Sequence, residues 1–370
     1  MRTVRRLLYG DILSSVGFVA LAFLSLHFFI DVVDELDSVG RGGRTAWTVA
    51  QSALFALPGH LYELLPISVL IGTIFSLSRM AQTSEFTILR TGGLGPGRAL
   101  GLLAALGAAF GIATFVVGDY AVPVAEREAV LLKAGLSGGV RVGGAGAWLK
   151  ERRSTAAGER SYWINVAGTG SGGQLEGIRI FEVDADGALV SRTEAASARV
   201  SGDGLWTLRD AEVARWPQAR TAGEPSVDVV RHDSLAWPSS LTPSVVAAAV
   251  LPLDTMTTVE LWRYSRHLAD QAQAAQQHEI RFWRKALYPL ACVVMVALAL
   301  PFAYLHSRSG STSLKVFGGI MLGISFVLLN NLAGHIGMLR GWTPWVVAAA
   351  PSFLFLLMSL AAFNWLVRHR

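Results

Sequence analysis

Hydrophobic positions in this chain gather into six long runs. Ile12 to Ile30 passes without a charge; Leu64 to Ser78 is shorter and draws on Leu61 and Tyr62 for full length; Leu100 to Gly118 follows. After a polar interval come Ala286 to Leu305, Val316 to Gly334 and Trp342 to Val367. Crossing roughly 30 Å of hydrocarbon at about 1.5 Å per residue takes about 20 apolar residues. The runs therefore predict six spanning helices, because a helix satisfies its own backbone hydrogen bonds in lipid.

The interval from Ala121 to Pro252 is too polar for lipid and reads as short strands with turns. Tyr162 to Val166 and Ile178 to Val183 predict strands, and Asp186-Gly187 and Asp203-Gly204 predict hairpin turns. Trp206, Leu208, Val213 and Trp216 follow the second turn. A segment of this size can bury a core of its own. Thr257 with Glu260 forms a capping-box pattern that starts a helix through Leu261, Tyr264 and Leu268. The expected organisation is spans one to three over 1–120, with a short cytoplasmic helix near 83–91. An all-β domain over 121–255 comes next, then a connecting helix and spans four to six over 256–370. No tandem repeat is visible.

Composition agrees with a membrane protein. The chain is 52% hydrophobic and 16% charged, against about a quarter charged in soluble domains. Positive charge sorts to alternate loops. Arg2, Arg5 and Arg6 precede the first span. Arg79, Arg90 and Arg98 follow the second, Arg308 and Lys315 the fourth, and Arg368 and Arg370 the sixth. These positions fall on one face, expected to be cytoplasmic together with both termini, which leaves the β domain in the periplasm. The first loop on that side is acidic, with Asp31, Asp34, Glu35 and Asp37 against Arg41 and Arg44, and the last carries only Arg340. The net charge of +5 follows from topology, and no basic stripe with interleaved aromatics points to nucleic acid. The early arginines and Ala20-Leu21-Ala22 imitate a signal peptide, but apolar sequence running on to Ile30 favours an uncleaved span. Cys292 is the only cysteine, so no disulfide forms within the chain.

Catalytic signals are missing. No Gly-Lys-Ser/Thr phosphate loop exists, so the chain is not expected to hydrolyse ATP itself. No span pairs a nucleophile with a base, and no metal or bound cofactor is predicted. Gly92-Gly93-Leu94-Gly95-Pro96-Gly97 reads as a helix stop and a turn into the third span. Asp184-x-Asp186-Gly187 reads as a hairpin turn, since the later calcium ligands are missing. His27 and His335 read as polar packing groups near an interface. Residues 81–90 predict a short helix capped by Ser84 or Thr83 and ended by Gly92-Gly93, with Phe86, Leu89 and Arg90 on one face. Such a helix suits docking to a soluble partner or serves as a plain connector. Gly107 with Gly111 and Gly319 with Gly323 permit close helix packing, and Asn330 or Asn331 can bond to a neighbouring helix.

Three local sequences, taken in order, carry a resemblance. They are Met80-Ala81-Gln82-Thr83-Ser84-Glu85, Gly118-Asp119-Tyr120-Ala121-Val122-Pro123, and Trp283-x-Lys285 with Pro289. With the domain placed between spans three and four, the chain resembles the LptF/LptG permeases of the lipopolysaccharide exporter, the LptG branch more than the LptF branch. The resemblance implies a permease subunit of an ABC transporter that extracts lipopolysaccharide from the inner membrane. It implies a β-jellyroll-like periplasmic domain and an LptF-type permease as partner. It also implies an LptB-type ATPase dimer holding ATP and Mg, an LptC-type protein and an LptA-type bridge. Ser84, Glu85, Phe86, Leu89 and Arg90 would form the coupling helix. The first and fifth spans would line lateral gates, setting Phe23, Leu26, Phe29, Ile30 and Phe326 against acyl chains. Lysine, which the family often places at the outer end of the first span, is replaced here by Asp31, Asp34 and Asp37. Arg41, Arg44, Arg127 and Lys133 are the substitute phosphate contacts, or equally solvated charges. A membrane scaffold or sensor with a periplasmic ligand-binding domain is the other reading, weakened by the absence of a cytoplasmic output domain. Lipoprotein-release permeases place their domain after the first of four spans, which this layout does not match.

Overall fold

A computed structural model describes residues 2–40, 44–93, 95–137, 140–141, 146–155, 158–169, 174–201, 204–216, 227–241, 245–246, 255–270, 276–304 and 312–368. Arg41, Leu94, Asp203, Pro252, Leu305, Arg308 and Arg370, singled out above, lie outside them. The helices are α1 (Arg2–Leu36), α2 (Ala46–Gln82), α3 (Glu85–Thr91), α4 (Pro96–Val116), α5 (Val122–Ser137), α6 (Thr258–Asp270), α7 (Gln276–Tyr304), α8 (Thr312–Arg340) and α9 (Pro344–Arg368). Among the described residues, six stretches are long and apolar enough to cross a membrane: Val4–Leu36, Ala46–Gln82, Gly97–Leu132, Gln276–Phe302, Ser313–Arg340 and Pro344–Trp365.

The third differs from expectation. A π-helical turn, Val117–Ala121, joins α4 to α5 without a break, so the chain stays helical to Ser137 instead of entering strands after Ala121. Residues 124–134 are mostly Ala, Glu, Leu, Arg and Lys, good helix formers, with no glycine to stop them.

The chain forms two compact units, one of 1–39, 46–126 and 276–370, the other of 40–45 and 127–275. In the helical unit α2 is the axis. Of its most apolar window 72% is buried, against 6% for α1. One core joins Leu8 and Ile12 of α1, Leu70, Ile74 and Leu77 of α2, Leu103 of α4, Met295 of α7, and Phe326 and Phe355 of α8 and α9. Glycines set the closest approaches. A Cβ at Gly72 would lie 2.6 Å from the Val16 backbone, one at Gly107 2.9 Å from Val293 Cα, and one at Gly111 2.8 Å from the Pro289 carbonyl oxygen. Gly319 and Gly323 face Ile74 and Ile67 at 2.5 and 3.1 Å by the same measure. Hence α4 packs on α7, and α8 on α2, through small residues.

The other unit is built on an antiparallel sheet of β1 (Val140–Arg141), β2 (Ala147–Thr155), β3 (Gly158–Thr169), β4 (Leu175–Val183), β5 (Leu189–Val200), β6 (Leu205–Arg215) and β7 (Asp228–Pro238). From β2 to β7 each strand pairs with the next in sequence, and β1 also pairs with β3. Register puts Ile164 opposite Ile180 and Val166 opposite Ile178 on the buried face. Trp163 and Phe181, opposite each other one position along, face away. Asp184 Oδ1 accepts the Asp186 and Ala188 amides at 3.0 and 2.8 Å, and Gly187 takes φ +84°. That segment is a hairpin turn, as read.

The sheet's two edges meet at one carboxylate. Glu151 of β2 is fully buried. It accepts Ser239 Oγ at 2.8 Å and the Ser240 amide at 2.7 Å, both just past β7. Arg153 donates to both its oxygens, at 2.8 and 2.9 Å. The Arg153 guanidinium is 4.5 Å from the ring centroids of both Tyr162 and Trp237. Burial favours the neutral acid, but the bonds from Arg153, Ser240 and Ser239 outweigh it and hold the carboxyl below its ordinary value. The capping box also forms. Thr257 N donates to Glu260 Oε2 at 2.8 Å and Glu260 N to Thr257 Oγ at 3.2 Å, at the start of α6.

Candidate functional site: the coupling segment and the lipid-facing helices

Helix α3 leaves α2 through a two-residue corner. Ser84 sits at φ +60°, the left-handed region that non-glycine residues seldom enter, and its carbonyl accepts the Ile88 amide at 3.0 Å. Thr83 does not cap α3. Its hydroxyl donates back to the Arg79 and Met80 carbonyls at 3.2 and 3.3 Å, because the sharp turn leaves it over the orphan carbonyls ending α2. Gly92 and Gly93, the latter at φ +99°, end α3 as expected.

The faces of α3 are unequal. Phe86 is buried in the helical core and Leu89 packs against it. Glu85 and Ile88, also three apart, are exposed. The apolar pair is thus an anchor, and the exposed pair is the surface offered outward. Arg90 lies in the last turn of α3, its side chain outside the described residues.

A polar group missed by sequence reasoning lies behind this segment. Asp11 of α1 accepts Ser76 Oγ at 2.6 Å and pairs with Arg79. The available signal was a lone acid near the start of an apolar run, which in a spanning helix calls for a partner. The other end of α1 is also tied to α2. Asp31 Oδ2 is 2.8 Å from His60 Nε2, and Ser52 donates to Glu35 at 3.1 Å. Asp31 and Glu35 are therefore engaged by α2. His27 lies 3.0 Å from the Phe23 carbonyl and stacks, tilted, 4.8 Å from His60; His335 bonds to the Asn331 carbonyl at 2.9 Å.

Lipid-facing positions divide. On α1, Leu26, Phe29 and Ile30 are exposed and Phe23 is half-buried. Phe326 is not exposed: it is buried edge-on to Phe355 of α9, with ring centroids 5.3 Å apart. The open face of α8 is instead a stripe of Leu314, Phe317, Met321, Ile324, Leu328 and Leu332, at spacings of three and four that keep it on one side. Arg127 is held by Glu260 through two bonds of 2.9 Å. Arg44 is half-buried, and Lys133 lies in α5 with its side chain outside the described residues. Asn331 does bond to another helix, accepting Arg284 Nη2 of α7 at 2.9 Å.

The second and third of the motifs quoted above also meet in space. Lys285 lies 3.9 Å from Asp119, Gly111 faces Pro289, and Gly118 lies against the Tyr62 ring. Among the described residues no group of three or more His, Cys, Asp or Glu is placed to hold a metal.

Among the described residues, six helices long and apolar enough to span a membrane and an inserted antiparallel β domain define a multi-pass membrane protein. Residues 6–365 match the model of the lipopolysaccharide export system permease LptF/LptG family, and the chain belongs to that family. It is 25% identical to the lipopolysaccharide export system permease protein LptG of Haemophilus influenzae, over 97% of each chain. The protein of the same name in Escherichia coli K12 is 24% identical over 94% of each chain.

Proposed function

We propose that this chain is a permease subunit that lifts lipopolysaccharide out of the inner membrane toward a periplasmic bridge. The observation that carries the reading is the family match over residues 6–365. Two structural features support it: the exposed Glu85–Ile88 face of α3, and the bare apolar faces of α1 and α8. In this reading both termini and α3 are cytoplasmic, following the arginine pattern, and the β domain is periplasmic. An LptF-type permease completes the lipid cavity. An LptB-type ATPase dimer holds ATP and Mg and grips α3. LptC-type and LptA-type proteins receive the lipid.

The energetics require such a motor. Acyl chains gain about 0.8 kcal/mol per buried CH₂ in a bilayer, so a cavity must match that environment and then give it up. The second step draws on two protein states of different stability, which nucleotide binding to the partner interconverts. Phe86 and Leu89 fasten α3 to the bundle, so force on Glu85 and Ile88 reaches the spans. The test is Glu85→Lys in the purified complex. The expected outcome is loss of ATPase copurification and of lipid-stimulated hydrolysis; survival of both unchanged rules out the coupling role.

A further inference from the structure

One carboxylate fastens the first two spans next to the coupling segment. Asp11 accepts Ser76 Oγ at 2.6 Å and the Arg79 guanidinium. Ser76 is fully buried; the Asp11 side chain is 17% exposed and that of Arg79 56%. Arg79 lies in the last turn of α2, and its carbonyl accepts the Thr83 hydroxyl at the corner leading to α3. About one turn before Ser76 on α2, Gly72 brings its backbone against that of Val16. Beside Asp11, the Tyr9 hydroxyl donates to the Leu102 carbonyl of α4 at 2.8 Å. Phe86 of α3 shares a core with Leu8 and Ile12, which flank Asp11 on α1. Between this end and the Asp31–His60 and Glu35–Ser52 bonds at the other, α1 is mostly bare, with 6% of its most apolar window buried.

Apolar packing alone could attach α1 without the desolvation cost of a carboxylate. A charged clasp adds register: two bonds from residues nearly one turn apart on α2 set both the height and the rotation of α1. We propose that Asp11 is a positioning residue that carries displacement of the coupling segment into the first span. The lipid-facing blade of Leu26, Phe29 and Ile30 then moves with α3. This inference rests on the reading of residues 83–91 as the ATPase-coupling segment. When that segment is driven, the end of α2 moves with it, and the clasp obliges α1 to follow. Without the clasp the ATPase still docks and turns over, while α1 lags.

The experiment uses the full complex in proteoliposomes and measures lipid delivered per ATP hydrolysed, a ratio that simple loss of folded protein does not change. The chains are the wild type, Asp11→Asn, Asp11→Ala, the exchange Asp11→Arg with Arg79→Asp, and Glu85→Lys as reference. Asp11→Ala is expected to keep ATPase copurification and hydrolysis while the ratio falls about tenfold, within the usual range of coupling between sites. Asp11→Asn, which keeps an acceptor for Ser76 and loses the charge, should fall between; the exchange should recover part of the ratio. A wild-type ratio in Asp11→Ala, with Glu85→Lys losing copurification and hydrolysis as expected, overturns the role of Asp11 alone. Loss of copurification in Asp11→Ala that the exchange does not restore also overturns it, by assigning Asp11 to assembly. If Glu85→Lys changes nothing, the coupling reading itself fails, and this inference with it.

Discussion

Glu151 in the sheet and Asp11 in the bundle are both carboxylates held by a serine hydroxyl and an arginine, in opposite settings. Glu151 has no exposure, four hydrogen bonds, and a partner stacked between two aromatic rings. Asp11 is partly open and its arginine is mostly in solvent. Attraction between charges strengthens as water is excluded, and so does the cost of leaving one unpaired. Exposed pairs contribute at most about 1 kcal/mol. The sheet's carboxylate therefore acts as a rivet joining two strand edges. The bundle's contributes little to stability, and its value lies in register.

That contrast can be broken at several points. The largest effect is expected from Arg153→Ala, which strands a buried charge and should cost about 3–5 kcal/mol. Thermal unfolding of the purified chain followed by tryptophan fluorescence would show it, since Trp206 and Trp237 meet edge-on at 5.6 Å within this network. An unmoved transition would remove the rivet from the account. Next comes Gly72→Val, which forces a side chain into the Val16 backbone and should cost about 1–3 kcal/mol. Gly101→Val, where a Cβ meets nothing within 4 Å, is the matched control in a detergent thermal melt. Thr257→Ala removes half of the capping box and should cost about 1 kcal/mol, seen as faster hydrogen exchange in the first turn of α6. The smallest effect is acid-side. The Glu151 carboxyl lies below its ordinary 4.5 in the folded chain. Its stabilisation is complete above 4.5 and declines as pH falls from there through the folded value. Glu151→Gln should flatten that slope in a pH series of melts.

Much of this architecture is readable along the chain. Hydropathy runs locate the six spans, Asp186-Gly187 marks its hairpin, Thr257 and Glu260 announce α6, and Gly92-Gly93 close α3. Each is a local signal, in which a few neighbouring residues fix their own backbone. One miss was legible too: the polarity of the stretch predicts strands from Ala121, while the good helix formers of 124–134 carry the helix on to Ser137. The other was not. Thr83 turns toward α2 because of the Ser84 corner, a conformation its own identity does not encode.

Composition and order by themselves determined a multi-pass membrane protein with an inserted β domain, because lipid solubility and strand alternation are properties of neighbouring residues. Only the tertiary structure decided which apolar faces are covered. Within a uniformly apolar span nothing in the pattern separates a lipid-facing side from a protein-facing one, so Phe326 proved buried while Phe317 and Met321 lie open. It alone also paired Asp11 with Ser76 and Glu151 with Ser239, contacts between residues far apart in sequence. Such pairings depend on how helices cross and how a sheet rolls, and those follow from packing over the whole unit.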